Sequence, residues 1–140
     1  MICYAVIDTN VLVSALLSGS DTAATVQVVG RLIVGEIIPV YSADIINEYK
    51  DVLNRQKFGF PKETVNYLLS AVEKYGIYVE PTETGVVLPD MKDLPFYEVV
   101  MEKRDDNAYL VTGNLKHFPQ EAFIVTARQM IDILNGDNEK

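Results

Sequence analysis

The chain begins with an apolar run, Ile2-Cys3-Tyr4-Ala5-Val6-Ile7, that ends at Asp8. A run this short and this apolar suits a strand buried on both faces, as in a parallel sheet. The pattern recurs at Ile37–Tyr41, Ile77–Glu80, Tyr109–Thr112 and Phe123–Val125. Between these runs the apolar residues fall at helical spacing. Val11, Leu12, Ala15 and Leu16 form one helix face, which Ser18-Gly19-Ser20 interrupts. A second helix is predicted over Asp21–Val34, and a third runs from about Ala43 to Arg55 with Ser42 as its N-cap. Pro61 opens a fourth, with Val65, Leu68, Leu69 and Val72 on one face and Gly76 at its close. Asp93-Leu94-Pro95 opens a fifth through about Lys103, and Ala127–Leu134 forms the last. Residues 81–92 carry two prolines and Gly85 and read as a loop, with a small strand expected at Val86–Leu88. Parallel strands need crossover connections, so this alternation predicts an α/β fold with helices on both faces of a mainly parallel sheet. In such sheets ligands bind beyond the carboxyl ends of the strands, where Asp8 and Thr112-Gly113-Asn114 lie.

Length and composition set the frame. With 140 residues, 49% hydrophobic and 23% charged, the chain matches one soluble domain, expected over residues 1–135 with a frayed tail at 136–140. Disorder, collagen and coiled coil are poor descriptions. The single cysteine, Cys3, cannot form an internal disulfide and is expected to pack as a small hydrophobe. A reduced, cytoplasmic setting follows. No apolar run approaches a membrane span, and the N-terminus lacks the pattern of a signal peptide. The net charge of −8 argues against broad, charge-driven binding to nucleic acid or anionic membranes. It is compatible with a nucleic-acid enzyme whose carboxylates hold metal ions, and with a basic protein partner.

Several acids stand where acids are costly, and each has a bland alternative. Asp8 ends an apolar strand, where a carboxylate needs hydrogen bonds, a cation or a metal, or else caps the next helix. Glu48 interrupts the stripe made by Ile45 and Val52, or else reaches from its edge into water. Asp93 stands at a helix start, which suits an N-cap as well as a site. Asp90 and Asn114 suit turns, and Asn10 a helix start. Asp105 and Asp106 read as a solvated turn. His117, the only histidine, reads as a structural hydrogen bonder. The chain contains no GxxxxGK[ST] loop, no GxGxxG after a strand and no GxSxG elbow. Asp8-Thr9-Asn10 has an asparagine where Asp-x-Asp phosphotransferases carry a second acid.

Taken in order, these segments resemble the PIN-domain family. Ile7-Asp8-Thr9-Asn10-Val11-Leu12-Val13-Ser14-Ala15 is similar to its opening strand and first acid. Glu48 in Ser42–Tyr49 matches the second acid, and Asp93 in Asp90–Glu98 the third. Leu110–Phe118 resembles the segment carrying the fourth polar position, here Asn114 with Thr112 nearby, and Ile124–Gln129 resembles the closing strand and helix start. Within the family the chain looks closest to the toxins of bacterial toxin–antitoxin pairs.

The resemblance implies a three-layer α/β/α sandwich and a ribonuclease dependent on Mg²⁺ or Mn²⁺. Asp8, Glu48 and Asp93 would hold the metal, and Asn114 would complete the catalytic set. Asp90, Thr112 and Asn10 are secondary candidates, and Asp90 could exchange roles with Asp93. The implied partners are an RNA substrate and a small antitoxin protein, and a homodimer is open. Asparagine at position 114 replaces a frequent aspartate, so the site would carry less negative charge and hold a second metal more weakly. Mg²⁺ prefers oxygen ligands and commonly binds through one or two carboxylates plus phosphate, which suits this set. The rival reading is a non-catalytic PIN-like module that binds RNA or protein. A small-molecule phosphatase fits less well, because no substrate-capping insertion is evident.

Overall fold

A computed structural model describes residues 2–136. Five strands form one sheet in the order β3-β2-β1-β4-β5, with β1 Cys3–Ile7, β2 Ile37–Tyr41, β3 Ile77–Tyr78, β4 Tyr109–Val111 and β5 Ile124–Val125. Every pairing is parallel. The first strand in sequence is the central strand in space. Ala5, Val6 and Ile7 are at most 1% exposed, so both faces of β1 are covered and its near-continuous apolarity is explained.

Six helices complete the fold: α1 Thr9–Leu17, α2 Ala24–Ile33, α3 Ala43–Leu53, α4 Lys62–Tyr75, α5 Leu94–Glu102 and α6 Ala127–Leu134. α2 packs on β2 and against α6, while α5 lies across β1, β2 and β4 and meets α3. The result is the three-layer α/β/α sandwich that the sequence pattern and the resemblance imply. Among the described residues no helix is long and apolar enough to cross a membrane.

Local chemistry sets several boundaries. Ser42 Oγ accepts from the Ile45 amide at the start of α3. Thr126 and Gln129 form a reciprocal capping box at the start of α6. Gly76 closes α4 where a Cβ would stand 2.4 Å from the Val72 carbonyl and 2.6 Å from that of Pro39, so only glycine fits.

Three expectations are corrected. α2 begins at Ala24 and not at Asp21, because Ser18, Ser20 and Thr22 hydrogen-bond to one another and to nearby backbone and hold that segment in a turn. No strand forms at Val86–Leu88: the segment finds no neighbour in the sheet, and the Leu88 amide donates to Met91 Sδ. The 113–119 loop contains a 3-10 turn at Leu115–His117, and this turn carries the histidine. Of the expected tail, residues 137–140 lie outside the described residues, and Gly136 closes a turn on Ile133.

Candidate active site

The carboxyl ends of β1 and β4 lie side by side. The Asp8 amide donates to the Val111 carbonyl and continues the ladder one residue past β1. Asp8 is therefore pinned at the sheet edge, 5% exposed, and Thr112 beside it is fully buried. Asp8 has the backbone position of an N-cap for α1, yet its side chain makes no capping bond. Its Oδ2 accepts from Thr112 Oγ1 at 2.8 Å and from Asn10 Nδ2 at 3.3 Å. The Asn10 carbonyl oxygen Oδ1 in turn accepts from the Gly113 amide at 3.1 Å, which ties the start of α1 to the loop after β4.

Glu48 reaches the same edge from α3. It is half-buried, and its carboxylate accepts a hydrogen bond from Thr9 Oγ1. One residue on, fully buried Tyr49 donates its hydroxyl to the Ile7 carbonyl, locking α3 against the end of β1. The spacing of the Ile45, Tyr49 and Val52 stripe thus places Glu48 beside Asp8 and not out in water.

Asp93 comes from the other direction. It precedes α5, with Pro95 in the first turn, but makes no capping bond either. Its Oδ2 lies 2.9 Å from His117 Nδ1, with the two side chains 16% and 39% exposed. Asp90, exposed one turn earlier, accepts from the Lys92 amide at 3.0 Å and plays the turn role. Among the described residues, Asp90, Asp93 and His117 form a group whose ligand atoms all lie within 4.8 Å of one another.

Charge at this edge is poorly compensated. Burial pushes the Asp8 carboxyl up to about 6; the Thr112 hydrogen bond opposes this, and the Asp93 and Glu48 charges add to it. Burial also raises Asp93, with the His117 contact holding it down and Asp90 pushing it up. Tyr49 is raised well above its usual range, first by burial and then by Asp8 and Glu48. The buried Asp8 carboxylate, served by neutral donors and facing the charges of Glu48 and Asp93, and the Asp90–Asp93–His117 group beside it are places that a divalent cation would suit. The hard oxygen atoms of these acids suit Mg²⁺ or Mn²⁺, and a contribution from His117 would favour Mn²⁺.

The edge opens into two clefts separated by Asn10. The larger, about 670 Å³, is lined by Thr9, Asn10, Glu48, Asp90, Lys92 and Asp93 together with Val13, Leu17, Val52, Arg55 and Phe58. The smaller, about 340 Å³, holds Thr112, Gly113 and Asn114 with Thr126 and Arg128. Glu48 and Asp93 share the first cleft with Asn10, whereas Asn114 and Thr112 line the second. Asn114 is exposed, and its amide donates to Thr112 Oγ1 at 3.0 Å, so it bears on Asp8 through Thr112. The sequence reading missed the His117–Asp93 contact, which spans 24 residues and has no local signature. It also passed over Arg55 and Phe58. Their signal was the unbroken run Arg55-Gln56-Lys57-Phe58-Gly59-Phe60.

The sequence matches the PIN domain family over residues 4–116. No curated protein and no solved structure matches the chain. The matched span contains Asp8, Glu48, Asp93 and Asn114 and stops one residue before His117.

Proposed function

The chain belongs to the PIN-domain family, whose members are generally nucleases, and from that premise we propose that it is a metal-dependent endoribonuclease that hydrolyses RNA phosphodiester bonds. The observation that supports this reading is that Asp8 stands buried at the sheet edge with the charges of Glu48 and Asp93 bearing on it, while Asp93 groups with His117 and Asp90 within 4.8 Å. Capping explains neither Asp8 nor Asp93, and burial makes the charged form of each unfavourable without a cation. Asp8, Glu48 and Asp93 would hold Mg²⁺ or Mn²⁺, with Asp90 within reach of the Asp93 side. When bound, the ion supplies activation of the attacking water and neutralisation of charge on the phosphate.

The chain's own residues do the positioning. Thr112 and Asn10 fix Oδ2 of Asp8, Thr9 fixes Glu48, and His117 fixes Asp93. Each carboxylate is thereby held in one orientation before substrate arrives, which reduces the ordering required at the transition state. Water oxygen gives up a proton to solvent and bonds to phosphorus as the P–O ester bond breaks and the leaving oxygen takes up a proton, so no protein nucleophile is required. This agrees with the absence of a serine elbow from the sequence.

We further propose that the enzyme is the toxin of a toxin–antitoxin pair. The support is the sequence resemblance and an acidic chain suited to a small antitoxin with a basic segment. Purified protein is expected to cleave single-stranded RNA with Mg²⁺ or Mn²⁺ and to stop in EDTA, and co-expression with the neighbouring small reading frame is expected to suppress cleavage. A protein that binds RNA without cutting it under any divalent ion would instead be the non-catalytic module. Cleavage unaffected by any neighbouring gene product would remove the toxin role and leave the nuclease.

A further inference from the structure

The connection between α3 and α4, taken with the first residue of α4, departs from the rest of the molecule in charge. Residues 54–62, Asn-Arg-Gln-Lys-Phe-Gly-Phe-Pro-Lys, hold three cations and no acid in a chain of net charge −8. Two aromatic rings sit among them. Phe58 and Phe60 stack with centroids 5.3 Å apart and planes 7° from parallel, and Lys57 Nζ lies 5.1 Å from the Phe58 centroid. Both rings are only half-buried. Gly59 between them has φ +64°, a left-handed turn that glycine takes without strain and that lets the two phenylalanines stack.

This segment shares a cleft with the acid edge. Arg55 and Phe58 line the larger cleft together with Glu48, Lys92 and Asp93, and Val13, Leu17 and Val52 add apolar surface. Arg55 pairs with Asp51 at 3.0 Å, but the two side chains are 48% and 72% exposed. An ion pair this open contributes little, so the guanidinium exchanges partners readily. A phosphate is a better partner, since it accepts two parallel hydrogen bonds from the guanidinium fork.

We infer that this cleft is a nucleotide subsite for single-stranded RNA, in which an unpaired base lies against Phe58 in place of the exposed Lys57 ammonium and Arg55 holds the adjoining phosphate while the strand passes the acid edge. The inference rests on the nuclease reading for the identity of the strand, but the subsite is a binding element that can be tested without cleavage. Three physical points favour an unpaired strand. An aromatic face is available only to a base that has left its own stack. The apolar surface offers nothing to a duplex backbone. With a net charge of −8, the chain lacks the broad excess of positive charge on which duplex binding draws.

The test measures binding in EDTA of a short fluorescein-labelled oligouridylate, alone and annealed to oligoadenylate, over a range of salt. Phe58→Leu keeps apolar volume against Phe60 while removing the aromatic face. It is expected to weaken single-strand binding roughly tenfold with an unchanged salt slope, and Phe58→Trp is expected to restore binding. Arg55→Ala is expected to weaken binding several-fold and to reduce the salt slope by about one. In turnover assays both variants are expected to raise KM more than they lower kcat. Melting temperatures near that of the unaltered protein would establish that the variants fold.

Equal affinity for single strand and duplex, or unaltered single-strand binding in both Phe58→Leu and Arg55→Ala, would overturn the inference. So would variants that bind RNA normally but lose only a co-expressed antitoxin, which would make the segment a protein interface. Failure of the nuclease reading has a different signature: the oligouridylate binds and responds to these variants, yet no divalent ion brings about its cleavage.

Discussion

The two ends of the sheet treat charge in opposite ways. At the amino ends of the strands, Arg104 lies 4.1 Å over the Phe123 ring and donates to the Ala108 carbonyl at 2.6 Å. Lys103 pairs with Asp106 at 2.9 Å and lies 5.5 Å from the Tyr4 ring centroid. Those cations have partners within the fold. At the carboxyl ends, Asp8 feels the charges of Glu48 and Asp93, and the three carboxylates have hydroxyl, amide and imidazole donors as their partners. Both ends carry a cleft, of about 410 Å³ at the amino end and about 670 Å³ at the carboxyl end. Cavity size therefore says less about function than the state of the charges does. At the amino end the cations are paired; at the carboxyl end Asp8 has only neutral donors, and that difference favours the carboxyl end as the candidate site.

The sharpest way to break this contrast is Asp8→Asn. It is expected to lower metal-dependent RNA cleavage roughly 10³-fold or more, the scale of losing a group that stabilises charge in the transition state. The same substitution is expected to stabilise the metal-free protein. Asp8 is raised from 3.8 to about 6 on folding, so the native state binds a proton that the unfolded chain has released between those values. Stability contributed by the neutral acid is present below pH 3.8 and falls away as pH rises through about 6. At pH 7 the ionised carboxylate costs up to about 3 kcal/mol, which asparagine removes. Thermal melts from pH 4 to 7 should show the unaltered chain losing stability relative to Asp8→Asn. Added Mn²⁺ should raise the melting temperature of the unaltered chain and leave that of Asp8→Asn unmoved. A melting temperature lowered by Asp8→Asn would mean that this acid is structurally satisfied, and the contrast between the two ends would fail.

Smaller effects come from the residues that orient the acids. Thr112→Val preserves shape and removes the hydroxyl that donates to Asp8. His117→Ala frees Asp93. Each is expected to cost roughly 10–100-fold in metal affinity or activity, as partners of metal-ligating groups generally do. Titration of Mn²⁺ into each variant distinguishes this from a loss of chemistry alone, because the affinity itself must fall.

At the amino end the expectation reverses. Arg104→Ala removes a cation–π contact and a hydrogen bond to a carbonyl, for a loss of about 1–2 kcal/mol in stability. Cleavage by the folded variant is expected to stay at the unaltered level. A large activity loss without unfolding would mean that the amino end also takes part in function.

Much of this was legible in the sequence because it is local. The apolar run 2–7 marks a strand covered on both faces, and the polar residue that ends it must lie at the sheet edge. The spacing Ile45-Glu48-Val52 places an acid on a buried stripe. What stayed hidden depends on contacts between distant segments. Val86–Leu88 has the composition of a strand but no neighbour to pair with, and a strand exists only by its partners. The partner of His117 lies 24 residues away on another element. Asn114 occupies the expected loop, and its backbone amide donates to Thr112, a contact that the identity of the residue does not reveal. The 54–62 segment was overlooked because its local charge opposes the net charge of the chain. Net charge is a sum, and a sum conceals its distribution.

The smallest expected effect belongs to Asp105→Asn, and it tests whether position or charge carries the argument. Asp105 is exposed in the 3-10 turn Arg104–Asp106, at the amino end where cations are near at hand. The substitution changes net charge by the same amount as Asp8→Asn and preserves volume just as closely. Surface substitutions of this kind fall within about 0.5 kcal/mol of neutral. Stability should therefore stay within that margin and RNA cleavage should match the unaltered protein. If activity depended on the overall negative field, both variants would shift it alike, and a less acidic protein would attract RNA slightly better. Matching losses in Asp105→Asn and Asp8→Asn would show that the sheet edge holds no privileged acids. A silent Asp105→Asn beside an inactive Asp8→Asn assigns the difference to where the carboxylate stands, at the buried end of the central strand, facing two others.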